Sequence, residues 1–127
     1  MLKNDRNSKI TELNGKLNPK SYDISSINLD PAWEVRYSDI YKIGNLVIFH
    51  ARIYAGTILA LHEYTINTAV DSDLIPASTT PIIAIAGDIY MQHTVACKCT
   101  IYKDGLIKLE VPDSGKNYID ISCVYMT

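Results

Sequence analysis

The sequence predicts an all-β protein, an antiparallel sandwich or barrel. Three observations point there. Apolar and polar residues alternate with period two from Tyr22 onward. Turn-forming residues break the chain at roughly 8–12-residue intervals, the spacing of a many-stranded antiparallel fold. Two hairpin signals, Gly44-Asn45 and Asp104-Gly105, sit between alternating runs, and no stretch after residue 20 holds a capped 3.6-residue period.

Residues 1–19 differ from the rest. Ile10, Leu13 and Leu17 are spaced three and four apart with polar residues between, the seam pattern of a short coiled-coil helix. Asn18-Pro19 ends the segment, because the residue before proline is driven out of the helical region. A single heptad does not hold a helix alone in water, so this segment is either an oligomerisation helix supplied by copies of itself or a frayed tail. The chain divides into this stalk segment, 1–19, and a head domain, 20–127.

Within the head, "EVRYSDIYKI" places Val35, Tyr37 and Tyr41 on one side and Arg36, Ser38 and Ile40 on the other. After the Gly44-Asn45 turn, "LVIFHARIY" puts Val47, Phe49, Ala51 and Ile53 on one face and Leu46, Ile48, His50, Arg52 and Tyr54 on the other. Further strands are expected in "TILALHEY", "TINTAV", "PIIAIA", "DIYMQHTVACKCTIY", "LIKLEV" and "YIDISCVYM". "LIPASTTP", with two prolines, is a loop expected to carry the chain across from one sheet to the other. "PDSGKN" is a polar turn before the last strand.

Composition sets bounds. At 127 residues, with 47% hydrophobic and 20% charged side chains, the chain suits one folded domain with one core. No apolar run approaches the roughly 20 residues of a membrane span, and the polar N-terminus lacks a secretory core. The protein is therefore expected to stay where it is made or to leave by assembly into a larger particle. Residues 1–20 carry five basic and two acidic side chains, whereas the remainder carries seven basic and twelve acidic. An acidic body without basic-aromatic interleaving argues against nucleic acid as a partner. Cys97 and Cys99, two apart on one strand face, are poorly placed for a disulfide, and with Cys123 they supply only three metal ligands. They read as small buried hydrophobes in a reducing compartment.

Motifs for catalysis fail on inspection. "HEYTI" opens like a zinc-protease helix, but the position for the second histidine holds Ile66. Asp71-Ser72-Asp73 lacks the rest of a calcium loop and reads as a turn. No nucleophile elbow, phosphate loop or dinucleotide fingerprint is present, and the carboxylates are scattered singly. His50, Arg52 and Tyr54 share a strand face with Leu46 and Ile48, a mixed surface that suits a subunit interface or a ligand patch better than acid–base chemistry. Nine tyrosines stand against one phenylalanine and one tryptophan, a bias that suits both β-structure and faces that meet partners or sugars.

Across roughly residues 31–126 the chain resembles the C-terminal head domains of phage and prophage tail fibre, baseplate and receptor-binding proteins. The likeness rests on Gly44, Asn45 and Val47 in the first hairpin, Ile75, Pro76 and Pro81 in the loop, Asp104 and Gly105 in the second hairpin, and Tyr118 in the closing strand. It departs at "ASTT", where the family has glycine with tyrosine or phenylalanine between the prolines. The resemblance implies an antiparallel jelly-roll-like β-sandwich preceded by a short N-terminal coiled-coil helix. It also implies a homotrimer that attaches to a bacterial cell-surface saccharide or protein and touches other tail or baseplate proteins. It would be assembled in the host cytoplasm on a longer stalk and act outside the cell as part of the virion tail. No enzymatic role and no cofactor are expected. A purely structural tail component and a bacterial carbohydrate-binding module outside any phage remain open alternatives.

Overall fold

Period-two alternation closes here into one continuous curled sheet. The computed structural model describes residue 9 and residues 18–127. The Ile10, Leu13 and Leu17 heptad lies outside the described residues. Among the described residues nine strands follow in chain order: β1 (Lys20–Ser21), β2 (Glu34–Ile43), β3 (Leu46–Ile58), β4 (Glu63–Thr65), β5 (Thr80–Pro81), β6 (Ile83–Gly87), β7 (Val95–Ile101), β8 (Ile107–Glu110) and β9 (Lys116–Met126). They run in the spatial order β1-β2-β3-β9-β6-β7-β8-β4, with β5 beside β7. Every strand pairing is antiparallel. The all-β expectation holds, as a mostly antiparallel sheet curled into a half-barrel. Its two edge strands, β1 and β4, are only two and three residues long, which limits the free ladder they present to other chains.

The inner face is the core. β3 contributes Val47, Phe49, Ala51 and Ile53, and β9 contributes Ile119, Ile121, Cys123 and Tyr125, all buried as the alternation requires. Ile101, Ile107 and Leu109 close the far side of the curl. Both hairpin signals are realised. Gly44-Asn45 is the two-residue turn between β2 and β3. Lys103 to Gly105 join β7 to β8, with the Gly105 amide donating to Tyr102 O and Tyr102 N–H donating to Leu106 O, both at 2.8 Å. Gly105 has φ +89°, and a Cβ there would stand 2.7 Å from Val70 Cγ2, so backbone sign and packing both require glycine.

Several expected strands are shorter than their patterns. β3 runs on to Ile58, and "LALH" becomes a turn held by Leu61 N–H donating to Val111 O at 2.8 Å. Of "TINTAV" only Thr65 lies in a strand, as the last residue of β4, and Asn67 beyond it makes an isolated bridge with Leu29. Residues 88–94 do not extend β7, because the Asp88 carboxylate takes the backbone N–H groups of Tyr90 and Gln92 and winds them into a turn. Two 3₁₀ turns, Ile24–Ile27 and Ser72–Leu74, are N-capped by Asp23 and Asp71. The expected faces of β2 also change. The register slips between Val35 and Tyr37, so Val35 pairs inward with Ile53, and Arg36 is the extra residue of a bulge.

Asn67 ties the loops to the sheet. Its side chain is buried; Nδ2 donates to Ile27 O (3.2 Å), Ala69 O (3.3 Å) and Gly105 O (3.0 Å), while Oδ1 accepts from Ile107 N (2.8 Å). One amide thus joins the first 3₁₀ turn, the 65–70 loop and the β7–β8 hairpin. Replacing it strands several buried backbone groups at once. Asn67→Ala is expected to lower unfolding free energy by roughly 3 kcal/mol, read as a shift of the urea midpoint at unchanged slope.

Candidate functional site

On the outer face, β2, β3 and β9 lie side by side, and their register decides which side chains meet. Arg52 stands opposite Asp120 and Tyr54 opposite Tyr118 across β3 and β9. Arg52 Nε and Nη2 both donate to Asp120 Oδ2, at 3.1 and 3.0 Å, and His50 Nε2 lies 2.8 Å from Asp120 Oδ1. The Asp120 side chain is only 16% exposed, against 40% for His50 and 45% for Arg52. The carboxylate is therefore the shielded centre that orients two more exposed partners. Tyr37 packs edge-on against the His50 ring at 5.3 Å and donates its hydroxyl to Asp39. That hydrogen bond to the carboxylate raises the Tyr37 pKa above its ordinary value.

The His50, Arg52 and Tyr54 face expected from sequence is thus brought together, with Asp120 as the member sequence reasoning missed. Its signal was present in "YIDIS", where Asp120 alternates with the buried Ile119 and Ile121 and so falls on the outer face of the last strand, but finding its partners needs the β3–β9 register. Ser122 stands opposite His50, yet no hydrogen bond joins them, so serine, histidine and aspartate do not form a relay. Among the described residues no three His, Cys, Asp or Glu side chains gather as a metal set.

The β2 bulge adds a second cation. Arg36 turns outward, its guanidinium 5.2 Å from the Tyr54 ring centroid, with Glu34 3.2 Å from Nη1. Tyr54 in turn packs on Tyr118 with ring centroids 5.1 Å apart. A groove of about 320 Å³ opens over these groups, lined by Arg36, Arg52, Ile89, Tyr90, Met91 and Tyr118. Its upper wall is the 88–93 turn. Asp88 holds that turn through Oδ1, which accepts from Tyr90 N and Gln92 N at 2.9 Å, and through Oδ2, 2.8 Å from His93 Nδ1. The turn folds close over β6 because residue 87 is glycine, whose added Cβ would stand 2.8 Å from Met91 Sδ. His93 and the backbone amide of Gln92 lower the Asp88 pKa below its ordinary 3.8.

The other end of the same face is apolar. A second groove, about 430 Å³, runs over Ile48, His50, Pro81, Ile83, Ser122 and Val124. Ile83 is 70% exposed, Val124 58% and Met126 54%. β1 pairs with Tyr41 and Lys42 at this end, so the chain enters the sheet beside the apolar rows. The Asp71–Asp73 pair serves structure: Asp71 caps its turn, and Asp73 accepts from Lys20 Nζ (3.3 Å) and Tyr22 Oη (3.1 Å).

No family model matches the chain, and no curated protein matches it. Among the described residues, no helix is long and apolar enough to cross a membrane.

All three cysteines are free, with Cys99 and Cys123 buried and Cys97 partly so. Burial pushes the Cys99 and Cys123 thiols up to about 12. Their raised folded-state values favour the neutral fold below the ordinary 9.0 and withdraw that support as pH climbs toward about 12. Stability in urea is expected to fall above pH 9, and Cys97 should alkylate first under native conditions, checked by intact-mass labelling. Asp88 has the opposite sign. Its lowered value stabilises the turn above 3.8 and releases it as pH drops through the folded-state pKa. Asp88→Asn should therefore loosen residues 88–93 at neutral pH, seen as faster amide exchange there than in β3.

Proposed function

We propose that this chain is the receptor-binding head of a phage or prophage tail, a non-catalytic module that attaches to a bacterial surface glycan as a homotrimer. In this reading the curled sheet is a jelly-roll-like sandwich head on a short N-terminal coiled-coil stalk, carried on the virion tail. The observation that carries it is the groove under the 88–93 turn, where tyrosine faces and arginine donors converge on rigid strands. Shallow sites of that kind suit sugars, whose rings stack on aromatic faces while hydroxyls take directional hydrogen bonds.

Support for self-association comes from the apolar end of the outer face. Exposed Ile48, Ile83, Val124 and Met126 lie together there, and a contiguous apolar patch marks a protein contact more often than scattered single residues do. The occupant assigned to it is a second copy of the same chain, because the N-terminal segment that would carry the stalk enters at this end. Three modest glycan sites on one rigid head would gain avidity on a repetitive cell wall. The same patch also favours the reading of a purely structural tail component, in which it meets other particle proteins.

Two measurements test the proposal. Sedimentation should give about three times the 14.2 kDa chain mass, and the double variant Ile83→Glu, Val124→Glu should sediment as a monomer with an unchanged far-ultraviolet spectrum. Labelled protein should bind intact bacterial cells and bacterial polysaccharide arrays. A monomeric wild type defeats the trimer, and absence of cell and glycan binding defeats the receptor-binding reading.

A further inference from the structure

We infer that the groove under the 88–93 turn is an acidic-saccharide site, taking a sugar unit that carries a carboxylate or phosphate. This rests on the receptor-binding reading and names the ligand class of its site. The lining decides the class. Arg36 and Arg52 both open into the groove, while the carboxylates that accompany them, Glu34 and Asp120, are absent from its lining. A guanidinium carries five N–H donors. Arg52 spends Nε and one Nη2 hydrogen on Asp120, and Arg36 makes its Glu34 contact through Nη1. Donors on both side chains therefore remain for a ligand, and guanidinium geometry matches the paired oxygens of a carboxylate or phosphate.

The rest of the lining is made for a sugar ring rather than for a free ion. Tyr118 is braced by Tyr54, and Tyr90 is 79% exposed at the tip of the Asp88-held turn. Ile89 and Met91 supply an apolar wall. The site also lies beside the start of β2, at Arg36, away from Tyr41 and Lys42 where β1 joins the sheet. On β3 the apolar groove is lined by Ile48 and His50 and the charged groove by Arg52, so the self-contact and the acidic-sugar site are neighbouring parts of one face divided by Asp120. A head fixed at the Leu46 end presents the groove outward.

The test uses the full chain with three probes: tetragalacturonate for a carboxylate, a glycerol-phosphate oligomer for a phosphate, and maltotetraose as the neutral counterpart. Calorimetric titration should show binding of one or both acidic probes, weakening with added salt, and at least roughly tenfold weaker binding of maltotetraose. The stronger acidic probe identifies the group. Arg36→Ala should weaken that probe roughly tenfold through loss of charge-assisted hydrogen bonds. Tyr90→Ala, on an exposed turn tip, should weaken it roughly fivefold, and both variants should keep the wild-type unfolding midpoint. Equal or stronger binding of maltotetraose, or acidic-probe binding indifferent to both variants, overturns the inference. In that case wild-type binding to intact cells keeps the receptor-binding reading standing. Loss of all saccharide and cell binding overturns both.

Discussion

The register between β3 and β9 is the constraint on which the rest depends. It brings residues 46–58 against the last strand, so that Arg52 and Asp120, 68 residues apart in sequence, become neighbours. The inner pairs Phe49–Cys123, Ala51–Ile121 and Ile53–Ile119 form the middle of the core. The outer pairs Ile48–Val124, Arg52–Asp120 and Tyr54–Tyr118 form, in order, the apolar end, the charged centre and the aromatic end of the face. Because side chains alternate, a slip of one residue would expose the isoleucines and bury the arginine. Core burial therefore fixes the outer face, although no core residue lines the groove under the 88–93 turn.

Regular pairing alone would leave a flat face, and two local irregularities give it relief. The bulge at Arg36 adds one residue to β2 and reverses the direction its side chain would otherwise take. The Asp88 turn diverts residues that alternate like a strand, since one carboxylate supplies acceptors for two backbone amides and a histidine. Each device is set by a few residues and costs little ladder, because Arg36 lies near the start of β2 and Asp88 follows the end of β6. The groove lies between them. Asn67 plays the corresponding part on the opposite side of the curl, where loop backbone would otherwise be buried without partners.

The parts of the fold legible in the sequence were those with a two-residue period or a turn dipeptide. The Val47-to-Ile53 core face, both hairpins and the buried Cys99 and Cys123 follow from local pattern and small apolar character. Strand ends in "TILALHEY" and "DIYMQHTVACKCTIY" did not, because Tyr64 Oη takes the Leu59 N–H, Val111 O takes the Leu61 N–H and the Asp88 carboxylate takes those of Tyr90 and Gln92, none of which disturbs the apolar alternation. The faces of Val35 and Arg36 were exchanged by a bulge that leaves no mark in composition. His50, Arg52 and Tyr54 were legible as one face, whereas Asp120, Arg36 and Tyr90 joined them only through long-range register. Asn67 looks like an ordinary polar loop residue, since its four partners come from three separate segments.

Charge distribution sharpens what this face can select. The body beyond residue 20 carries twelve acidic side chains against seven basic, so a polyanion at a distance meets net repulsion. Within a Debye length of about 8–10 Å, however, an anionic group in the groove would meet the Arg36 and Arg52 guanidiniums, with Asp120 shielded beside Arg52 and the exposed Glu34 outside the lining. In the proposed reading long-range steering is weak and binding rests on short-range fit, which would suit acidic sugar units better than a long polyanion such as nucleic acid. The proposed apolar association over Ile48, Ile83 and Val124 would work differently, because such burial is non-directional and scales with the area removed from water. In the proposed reading one strand would serve both tasks, because the two kinds of contact need different things from it. The apolar rows need only smoothness, whereas the groove needs donors held at fixed angles. The shielded Asp120 carboxylate stands between them and fixes the direction of Arg52.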